Sequence, residues 1–280
     1  MASARIVYLH ALTPVHSGTG QTVAVIDLPV AREKITGWPI IPGSSLKGVL
    51  RDTPDLSGQG DAWIAEAFGE EDQAGALCFG DQHLLCFPVR SFYGTFAYTT
   101  CPLALRRFVR DLQALGLTPP IDTLPAPENE LTALLPANNQ IARNGKVYFE
   151  DLELTPKTDS AIGKAADALA KSIFDDPGER DDFVQRFAIL SDTAFGYLCE
   201  IGTEVVARVR LGDDSKTVEQ GGLWYEEAVP AETIFWGPVT VADHRRTKAA
   251  RYLEPLTSTV VQIGGNATVG RGLCRVRFAQ

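Results

Sequence analysis

The stretch that constrains the fold most is residues 42–51, which read Pro42-Gly43-Ser44-Ser45-Leu46-Lys47-Gly48-Val49-Leu50-Arg51. A proline, a glycine and two serines at this point predict a helix that is capped by Ser44 or Ser45 and runs through Leu50. The unpaired amides of a first helical turn, next to the cation of Lys47, are typical of a phosphate site. The alternative is an ordinary serine cap with a solvated lysine. A nucleophile elbow is excluded because Lys47 stands where its second glycine belongs.

Segments with the residue pattern of strands and helices lie on both sides of this helix. The β-forming residues predict strands over 5–12, about 22–28, 76–87, 95–100, 257–263 and 273–278. Alternation predicts a strand from Glu204 to Leu211, and Leu223–Tyr225 and Thr233–Trp236 are predicted to pair. Helices are predicted near 62–68, 105–115, 160–174, 180–190 and 244–253. The order strand, helix, two strands, helix, strand indicates an α+β, ferredoxin-like fold that carries insertions.

A second motif lies between the last two predicted strands and reads Gly264-Gly265-Asn266-Ala267-Thr268-Val269-Gly270-Arg271-Gly272. Four glycines in nine residues exceed what a hairpin turn needs, and they allow another part of the molecule to approach the backbone closely. A flexible hairpin is the alternative. Gly265 and Gly270 have P-loop spacing, but Arg271 and Gly272 stand where a P-loop has lysine and serine or threonine.

The loop after the first predicted strand contains two polar candidates, His16 and Asp27. His16 precedes Ser17-Gly18-Thr19-Gly20, and Asp27 follows an apolar run and precedes Leu28-Pro29. A carboxylate at the mouth of a strand would bind a divalent metal or accept a proton. The alternative for Asp27 is an Asx turn before the proline.

A pair of aromatic residues follows a polar, glycine-rich stretch near the C-terminal third of the chain, in the sequence Leu223-Trp224-Tyr225-Glu226-Glu227. Aromatic side chains at such a position would stack on nucleobases. The alternative is that they form the core of a hairpin. The sequence leaves both interpretations open.

The composition is that of an ordinary globular chain of 280 residues, with 45% hydrophobic residues, 22% charged residues and a net charge of −9. No apolar run approaches the roughly 18 residues of a membrane-spanning helix, and the N-terminus lacks a signal-peptide core. Five cysteines without a Cys-x-x-Cys pair argue against a disulfide framework or zinc site and favour a reducing cytoplasm. Acids dominate 52–72 and 175–182, whereas seven Lys or Arg oppose one acid over 244–280, which predicts a basic face there.

Residues 41–51 and Gly264–Gly272 together resemble the paired signature of the RAMP superfamily of CRISPR effector subunits. The stretch from His16 to Glu33 and the region 223–233 narrow the resemblance to the repeated backbone subunit of the type III-B (Cmr) complex. This resemblance implies a single RAMP domain over 1–280, with an RRM/ferredoxin-like palm from both ends of the chain. It also implies finger insertions at about 52–75 and 117–190 and a thumb β-hairpin at about 212–230. Residues 117–175 add nothing to it.

The same resemblance implies partners: CRISPR RNA, target RNA, copies of this chain in a filament and other Cmr subunits, with no membrane. Each thumb would displace a nucleotide of the guide–target duplex at regular intervals. The implied RNA-binding residues are Ser44, Ser45, Lys47, Arg51, Gly264, Gly265, Gly270, Arg271 and Gly272, and the thumb would contribute Trp224, Tyr225 and Glu227.

The chemistry that the resemblance implies is cleavage of the target RNA by Asp27, with assistance from His16. The cleavage would depend on a divalent cation, Mg²⁺ or Mn²⁺, for which Asp27 is the candidate ligand. Three alternatives remain open from the sequence. They are a non-catalytic RNA-binding scaffold of the same superfamily, a guide-processing endoribonuclease, and an unrelated small-molecule enzyme.

Overall fold

The computed structural model describes residues 3–18, 20, 26–53, 59–122, 125–211 and 218–279. Within these residues the helices are α1 Gly43–Arg51, α2 Asp61–Phe68, α3 Pro102–Ala114, α4 Ser160–Ile173, α5 Pro177–Arg186, α6 Asp192–Ile201 and α7 Ala249–Leu253. Short 3₁₀ turns span Asp243–Lys248 and Ala267–Val269.

The strands are β1 Ala4–Ala11, β2 Ile40–Ile41, β3 Gly69–Glu70, β4 Gln73–Ala74, β5 Leu77–Phe79, β6 Gln82–Arg90, β7 Phe96–Thr100, β8 Thr132–Leu135, β9 Val147–Phe149, β10 Leu152–Thr158, β11 Phe187–Ile189, β12 Glu204–Leu211, β13 Val218–Ala228, β14 Ile234–Val241, β15 Thr259–Gln262 and β16 Leu273–Ala279. Most of the predicted helices and strands are therefore present. Part of the predicted extended segment at 22–28 lies outside the described residues.

The N-terminal strand β1 lies between β14 and β16 from the C-terminal part of the chain. Strand β6 pairs with the other side of β14, and all three pairings are antiparallel. The order β16-β1-β14-β6, with α1 between β1 and β6 and α7 between β14 and β16, is the ferredoxin-like βαββαβ arrangement. This confirms the predicted palm.

Along the chain, a long insertion separates β6 from β14, the second and third strands of the palm. It extends the same sheet through β7, β11, β8, β10 and β9, with β11 parallel to β7 and β10 parallel to β8. The insertion also supplies α3, α4, α5 and α6. The sequence pattern does not predict α6 or β8–β11. Strands β8–β11 are short, and their apolar runs resemble buried helix segments.

Both faces of the palm sheet are covered. Alternate residues of β1 point to opposite sides, as the period of two in a strand requires. Val7 and Leu9 pack with Leu46 of α1 in one buried cluster, whereas Tyr8 packs in a second cluster with the insertion helices. In the second cluster Phe108 of α3 meets Trp236 of β14 edge to face, with ring centroids 5.0 Å apart.

Burial of large aromatic side chains on this second face stabilises the fold by about 1.5–3 kcal/mol for each side chain. It also closes the face that an open four-stranded sheet of this kind would offer to RNA. A long polymeric ligand must therefore contact the palm at its edges and at the loops that leave its strands.

Strands β12 and β13 form a separate two-stranded hairpin, in which Ala207 faces Tyr225 and Val209 faces Leu223. The predicted pairing of Leu223–Tyr225 with Thr233–Trp236 is wrong, because Tyr225 belongs to this hairpin and Trp236 pairs with β1 and β6. Residues 212–217, inside the predicted thumb, lie outside the described residues. No helix in the described part of the chain is long and apolar enough to cross a membrane.

Acidic segments neutralise much of the predicted C-terminal basic face. Arg275 of β16 binds Glu179 of α5 at 2.7 Å, Arg277 binds Asp175 at 2.9 Å, and Arg251 binds Glu66 at 2.8 Å. The prediction failed because the opposite charges that are separate in sequence meet in the fold. These three arginines are therefore engaged within the protein.

Candidate nucleic-acid interface and cleavage site

The glycine-rich loop after β15 packs directly on the loop that contains His16. The Gly265 amide donates to the His16 carbonyl oxygen at 2.9 Å, and the Gly272 amide donates to the Pro14 carbonyl oxygen at 2.8 Å. A Cβ atom on Gly264 would lie 2.1 Å from the His16 carbonyl oxygen, and the φ of Gly264 is +82°. The close approach that the glycines predicted is therefore made by another part of this chain.

The other side of the same loop is attached to the β12–β13 hairpin. Asn266 adopts the left-handed conformation with φ of 64°, and its Nδ2 donates to Oε2 of Glu226 at 2.9 Å. The Arg271 guanidinium donates to Glu204 at 3.2 Å, at the start of β12. Arg271 is therefore engaged within the protein, and the loop joins the palm to the base of the hairpin.

His16 is buried, with only 9% of its surface exposed. Its Nδ1 donates to the backbone carbonyl of Glu227 at 2.6 Å, which leaves Nε2 as the acceptor in the neutral ring. The ring lies between Gly18 and Gly265, since a Cβ atom on either glycine would approach it to 2.6 Å or 3.2 Å. Its environment is that of a side chain that positions the loops around it.

Asp27 lies at the free edge of strand β13. Its Oδ2 accepts a hydrogen bond from the Tyr225 amide at 2.8 Å. The neighbouring Leu28 continues the edge, because its amide donates to the Tyr225 carbonyl at 3.1 Å and its carbonyl accepts from the Glu227 amide at 2.9 Å. The Asp27 carboxylate therefore accepts the hydrogen bond that a backbone carbonyl of a paired strand would accept. This arrangement differs from the Asx turn that was the alternative for Asp27.

A buried ion pair fixes the Asp27 segment to the hairpin. The Glu227 side chain is 3% exposed and accepts from the Val30 amide at 2.9 Å, from Arg32 at 2.5 Å and from Thr203 at 2.7 Å. Removing one partner of such a buried pair typically costs about 3–5 kcal/mol. Glu227 therefore anchors the segment, and its carboxylate is occupied.

The next residue of the segment, Glu33, ties it to the palm. Its carboxylate accepts from Arg107 at 2.7 and 2.8 Å, from Thr36 at 2.7 Å, and lies 2.5 Å from Nδ1 of His83. Burial alone would raise the pKa of Glu33, but these hydrogen bonds outweigh burial and hold the pKa well below its usual value. The segment is thus held at both ends.

A cleft of about 420 Å³ lies beside Asp27, lined by Asp27, Leu28, Arg210, Gly221, Gly222, Leu223, Trp224 and Glu226. Glu226 accepts from Trp224 Nε1 at 2.9 Å and from Arg208 at 3.1 Å. Burial raises the pKa of Glu226, and the bonds from Trp224 and Arg208 outweigh this and lower it overall. Arg210, which is exposed, brings a positive charge to the same cleft.

Arg210 is not among the site residues that the sequence predicts. Its signal is the alternation of Arg208 and Arg210 along β12, which by itself indicates only one face of a strand. Leu223 and Tyr225 are exposed, and Trp224 is half-buried against Glu226. These aromatic side chains are therefore outside the main cores, where an external planar group can reach them.

One carboxylate oxygen of Asp27 is free to bind a cation. The Tyr225 amide uses Oδ2 of Asp27, which leaves Oδ1 available. Across the described ranges, no group of three or more His, Cys, Asp or Glu residues is arranged to hold a metal ion. Mg²⁺ is commonly bound by one or two carboxylates together with water and phosphate oxygens. The residues therefore suit a divalent ion that takes its remaining ligands from a phosphate.

Helix α1 has a different cap from the predicted one. The Gly43 amide donates to Oδ1 of Asp81 at 2.9 Å, Pro42 is the N-cap residue, and no side chain of the N-cap position accepts a bond. The predicted serine cap is wrong, because Ser44 and Ser45 lie inside the first turn. Asp81 also occupies one of the amides that would otherwise face a phosphate.

The cationic side chains of α1 are not committed to partners within the protein. Among the residues that the structure describes, none forms a hydrogen bond or ion pair with the side chain of Lys47 or Arg51. Leu46 and Leu50 bury the opposite face of the helix, and α1 lies against β15, the strand that leads into the glycine-rich loop. The helix therefore presents free positive charge near that loop.

Known proteins resemble the chain over nearly its whole length. Residues 8–275 match the RAMP superfamily. The Cmr endoribonuclease Cmr4 of the CRISPR system of Pyrococcus furiosus is 38% identical over 99% of this chain and 96% of that protein. The CMR subunit Cmr4 of Saccharolobus solfataricus is 26% identical over 97% of this chain and 95% of that protein.

Solved structures give the same result. The crystal structure of oligomeric Cmr4 from Pyrococcus furiosus has a TM-score of 0.78 at 31% identity and covers 100% of this chain and 98% of that one. A cryo-EM structure of the type III-B Cmr-beta bound to cognate target RNA has a TM-score of 0.76 at 23% identity, over 98% and 96% of the two chains, and shares the fold. With its palm, its glycine-rich loop and the match over residues 8–275, the chain belongs to the RAMP superfamily.

Proposed function

We propose that this chain is the repeated backbone subunit of a type III-B (Cmr) CRISPR ribonucleoprotein and an endoribonuclease that cuts target RNA. The proposal is supported by the name of the 38% identical relative, a Cmr endoribonuclease, and by the similarity to an oligomeric Cmr4 crystal structure. Its partners are CRISPR RNA, target RNA, further copies of this chain and other Cmr subunits. The whole chain acts as one RAMP domain, with the β12–β13 hairpin as its thumb, in the cytoplasm.

One observation carries the catalytic part of this proposal. The Asp27 carboxylate is anchored by one oxygen to the Tyr225 amide, beside a cleft that also contains Arg210 and Trp224. An anchored acid, a cation for a phosphate and an aromatic ring for a displaced base are the groups that cleavage of a splayed RNA strand requires.

The guide RNA is held by the surface that α1 and the glycine-rich loop form. Lys47 and Arg51 supply charge, Ser44 and Ser45 supply hydroxyl groups, and the open side of the loop at Gly270 lets the RNA backbone approach. Phosphate contacts of this kind carry no base information, so that any guide sequence is accepted. Gly264 and Gly265 contribute by fixing the loop, because a Cβ atom on either one would meet His16.

The cleavage step uses the ribose 2′-hydroxyl of the displaced nucleotide. Its oxygen attacks the adjacent phosphorus in line with the departing 5′-oxygen, a geometry that a regular A-form helix does not permit, so that displacement itself accelerates the step. Asp27 accepts the 2′-hydroxyl proton, and the 5′-oxygen leaves and takes up a proton from water. Arg210 neutralises the charge that develops on the phosphate oxygens.

In the alternative arrangement Oδ1 of Asp27 would hold a divalent cation, Mg²⁺ or Mn²⁺, instead of accepting the proton, and the cation would supply positive charge to the phosphate. His16 is proposed as a positioning residue, because its buried ring holds the glycine-rich loop against the Glu227 backbone. His16→Ala should therefore reduce thermal stability as well as activity, and His16→Asn, which can still donate to the carbonyl, should restore part of both.

Sedimentation of the purified chain with synthetic CRISPR RNA tests the backbone role. The account predicts that several copies of the chain assemble on one RNA and that the number of copies increases with RNA length. A single copy per RNA that trims its own guide would instead support the guide-processing endoribonuclease. Assembly without cleavage of a complementary target in Mg²⁺ or Mn²⁺ would support the scaffold.

A further inference from the structure

A second cleft lies at the tip of the β6–β7 connection, away from Asp27. Its volume is about 700 Å³, and it is lined by Arg90, Ser91, Phe92, Tyr93, Thr95, Tyr148 and Glu150. Strands β1 and β6 run in the same direction, since both are antiparallel to β14. The loop that follows β6 therefore leaves the palm at the same end of the sheet as the loop that carries His16 and Asp27.

Three aromatic rings form one wall of this cleft. Phe92 contacts Tyr93 edge to face, with centroids 5.0 Å apart, and Tyr148 lies 6.2 Å from Phe92 and 6.3 Å from Tyr93. Phe92 is 78% exposed, which is unusual for so large an apolar side chain. The Arg143 guanidinium lies over the Tyr93 ring at 5.4 Å, and the Arg90 side chain is 87% exposed.

The backbone around these rings is held in place and strained. The Phe92 amide donates to the Tyr148 carbonyl at 3.2 Å, and the Glu150 amide donates to the Arg90 carbonyl at 3.0 Å, so that the two loops form one unit. Thr95 and Glu150, both of which line the cleft, have φ values of 74° and 49°. Such conformations cost about 1–3 kcal/mol each and concentrate at ligand sites.

A buried hydroxyl group without a partner points to a ligand. Ser91 is 8% exposed, its Oγ has no hydrogen-bond partner among the described residues, and the residue lines the cleft. A buried hydroxyl that is left unsatisfied costs free energy, so a group that binds in the cleft and accepts or donates there recovers that cost.

We propose that this cleft binds a nucleobase of single-stranded RNA. The base stacks on the exposed face of Phe92 and Tyr148, its polar edge reaches Ser91 Oγ, and Arg90 and Arg143 attract the flanking phosphates. This inference rests on the proposed function and adds to it a second RNA contact at the same end of the palm. Two exposed arginines, Arg90 and Arg143, flank the rings and favour a phosphate-bearing strand as the occupant.

The test uses the full chain and a fluorescein-labelled, single-stranded RNA dodecamer that contains 4-thiouridine. Phe92→Ala and Tyr148→Ala should each weaken binding about fivefold, the lower end of the usual loss for one stacked base. Leu131→Ala is the matched control, because Leu131 is an exposed apolar residue outside the cleft. Ser91→Ala should weaken binding without lowering the thermal midpoint, whereas a purely structural hydroxyl would lower the midpoint.

Photo-cross-linking of the same RNA, mapped by peptide mass spectrometry, locates the contact. The expected result is a cross-link within residues 91–96 or at Tyr148 that Phe92→Ala abolishes. Cross-links confined to the Asp27 segment or to residues 264–272 would overturn this inference and leave the proposed function intact. An absence of any cross-link would contradict both, and protection of Phe92 by another protein subunit without an RNA cross-link would overturn the nucleobase assignment.

Discussion

Replacement of Gly264 by alanine should destabilise the protein more than the same replacement at Gly270, although both glycines have positive φ values. The values are +82° and +80°, so the cost of a left-handed alanine, about 1–2 kcal/mol, is common to both positions. Only at Gly264 does the added Cβ meet another group, the His16 carbonyl oxygen at 2.1 Å, and the space around Gly270 is open.

The overlap at Gly264 can be relieved only by moving main chain, because the opposing atom belongs to the backbone. Insertion of one carbon into a well-packed site typically costs about 1–3 kcal/mol through such shifts. Gly264→Ala should therefore cost about 2–5 kcal/mol and Gly270→Ala about 1–2 kcal/mol. Since 1 kcal/mol corresponds to about 2–4 °C in a chain of 150–250 residues, the two thermal midpoints should differ by several degrees.

Differential scanning calorimetry of the two variants in one buffer measures this difference. Gly265→Ala isolates the contact with His16, because Gly265 has no left-handed φ and its Cβ would lie 3.2 Å from a ring carbon of His16, a side chain that can shift slightly. Gly264→Ala is expected to have the lowest midpoint of the three variants. Equal midpoints for Gly264→Ala and Gly270→Ala would refute the packing of the glycine-rich loop on the His16 loop.

Three further outcomes follow from the geometry. Lys47→Ala should weaken RNA binding for every guide sequence and reduce the salt dependence of log K by about one charge, as titrations at several salt concentrations would measure. Arg210→Ala should slow target cleavage by about 10² while guide binding stays unchanged, and single-turnover rates of the assembled complex would reveal any smaller effect that contradicts this. Because the pKa of Glu33 is depressed in the folded state, its contribution to stability is present above its unfolded pKa and is lost as the pH falls towards the folded pKa. Glu33→Gln should therefore lower the midpoint of urea unfolding at pH 7, with a penalty that shrinks below about pH 4, and a pH-independent penalty would contradict this.

The local pattern of the sequence was sufficient to predict the order of the strands and helices in the palm. β-forming residues at both ends, a helix near residue 46 and a glycine-rich loop before the last strand predicted the order that β1, α1 and β16 adopt. These signals are local, since strand and helix periodicity depend on residues a few positions apart. The sequence also predicted that another part of the molecule approaches the glycine-rich loop closely, because a hairpin turn alone does not need four glycines.

The contacts that assemble the site could not be predicted in this way. Asp27 meets the Tyr225 amide 198 residues later, and His16 meets the Glu227 carbonyl 211 residues later. The prediction of a serine cap for α1 failed for the same reason, because Asp81 reaches the Gly43 amide across 38 residues of sequence. None of these three pairings leaves a periodic trace in a single sequence.

The distribution of charge on the surface could not be predicted from the sequence either. The excess of basic residues near the C-terminus predicted a basic face, but acids from α2 and α5 and from the turn before α5 pair with Arg251, Arg275 and Arg277. A count along the chain records how many charges there are, whereas binding depends on which of them remain unpaired at the surface.

The catalytic role of Asp27 is measured by the rate of target cleavage in an assembled complex that contains Asp27→Asn. Asparagine can still accept the bond from the Tyr225 amide through its side-chain oxygen, so the substitution removes the charge and keeps the anchor. With labelled target RNA and Mg²⁺ or Mn²⁺, we expect a rate about 10²–10⁴ lower than that of the wild type, with guide and target bound normally. Cleavage at the wild-type rate would rule out Asp27 as the catalytic residue and favour a scaffold, and loss of target binding would show that Asp27 shapes the groove instead of performing the chemistry.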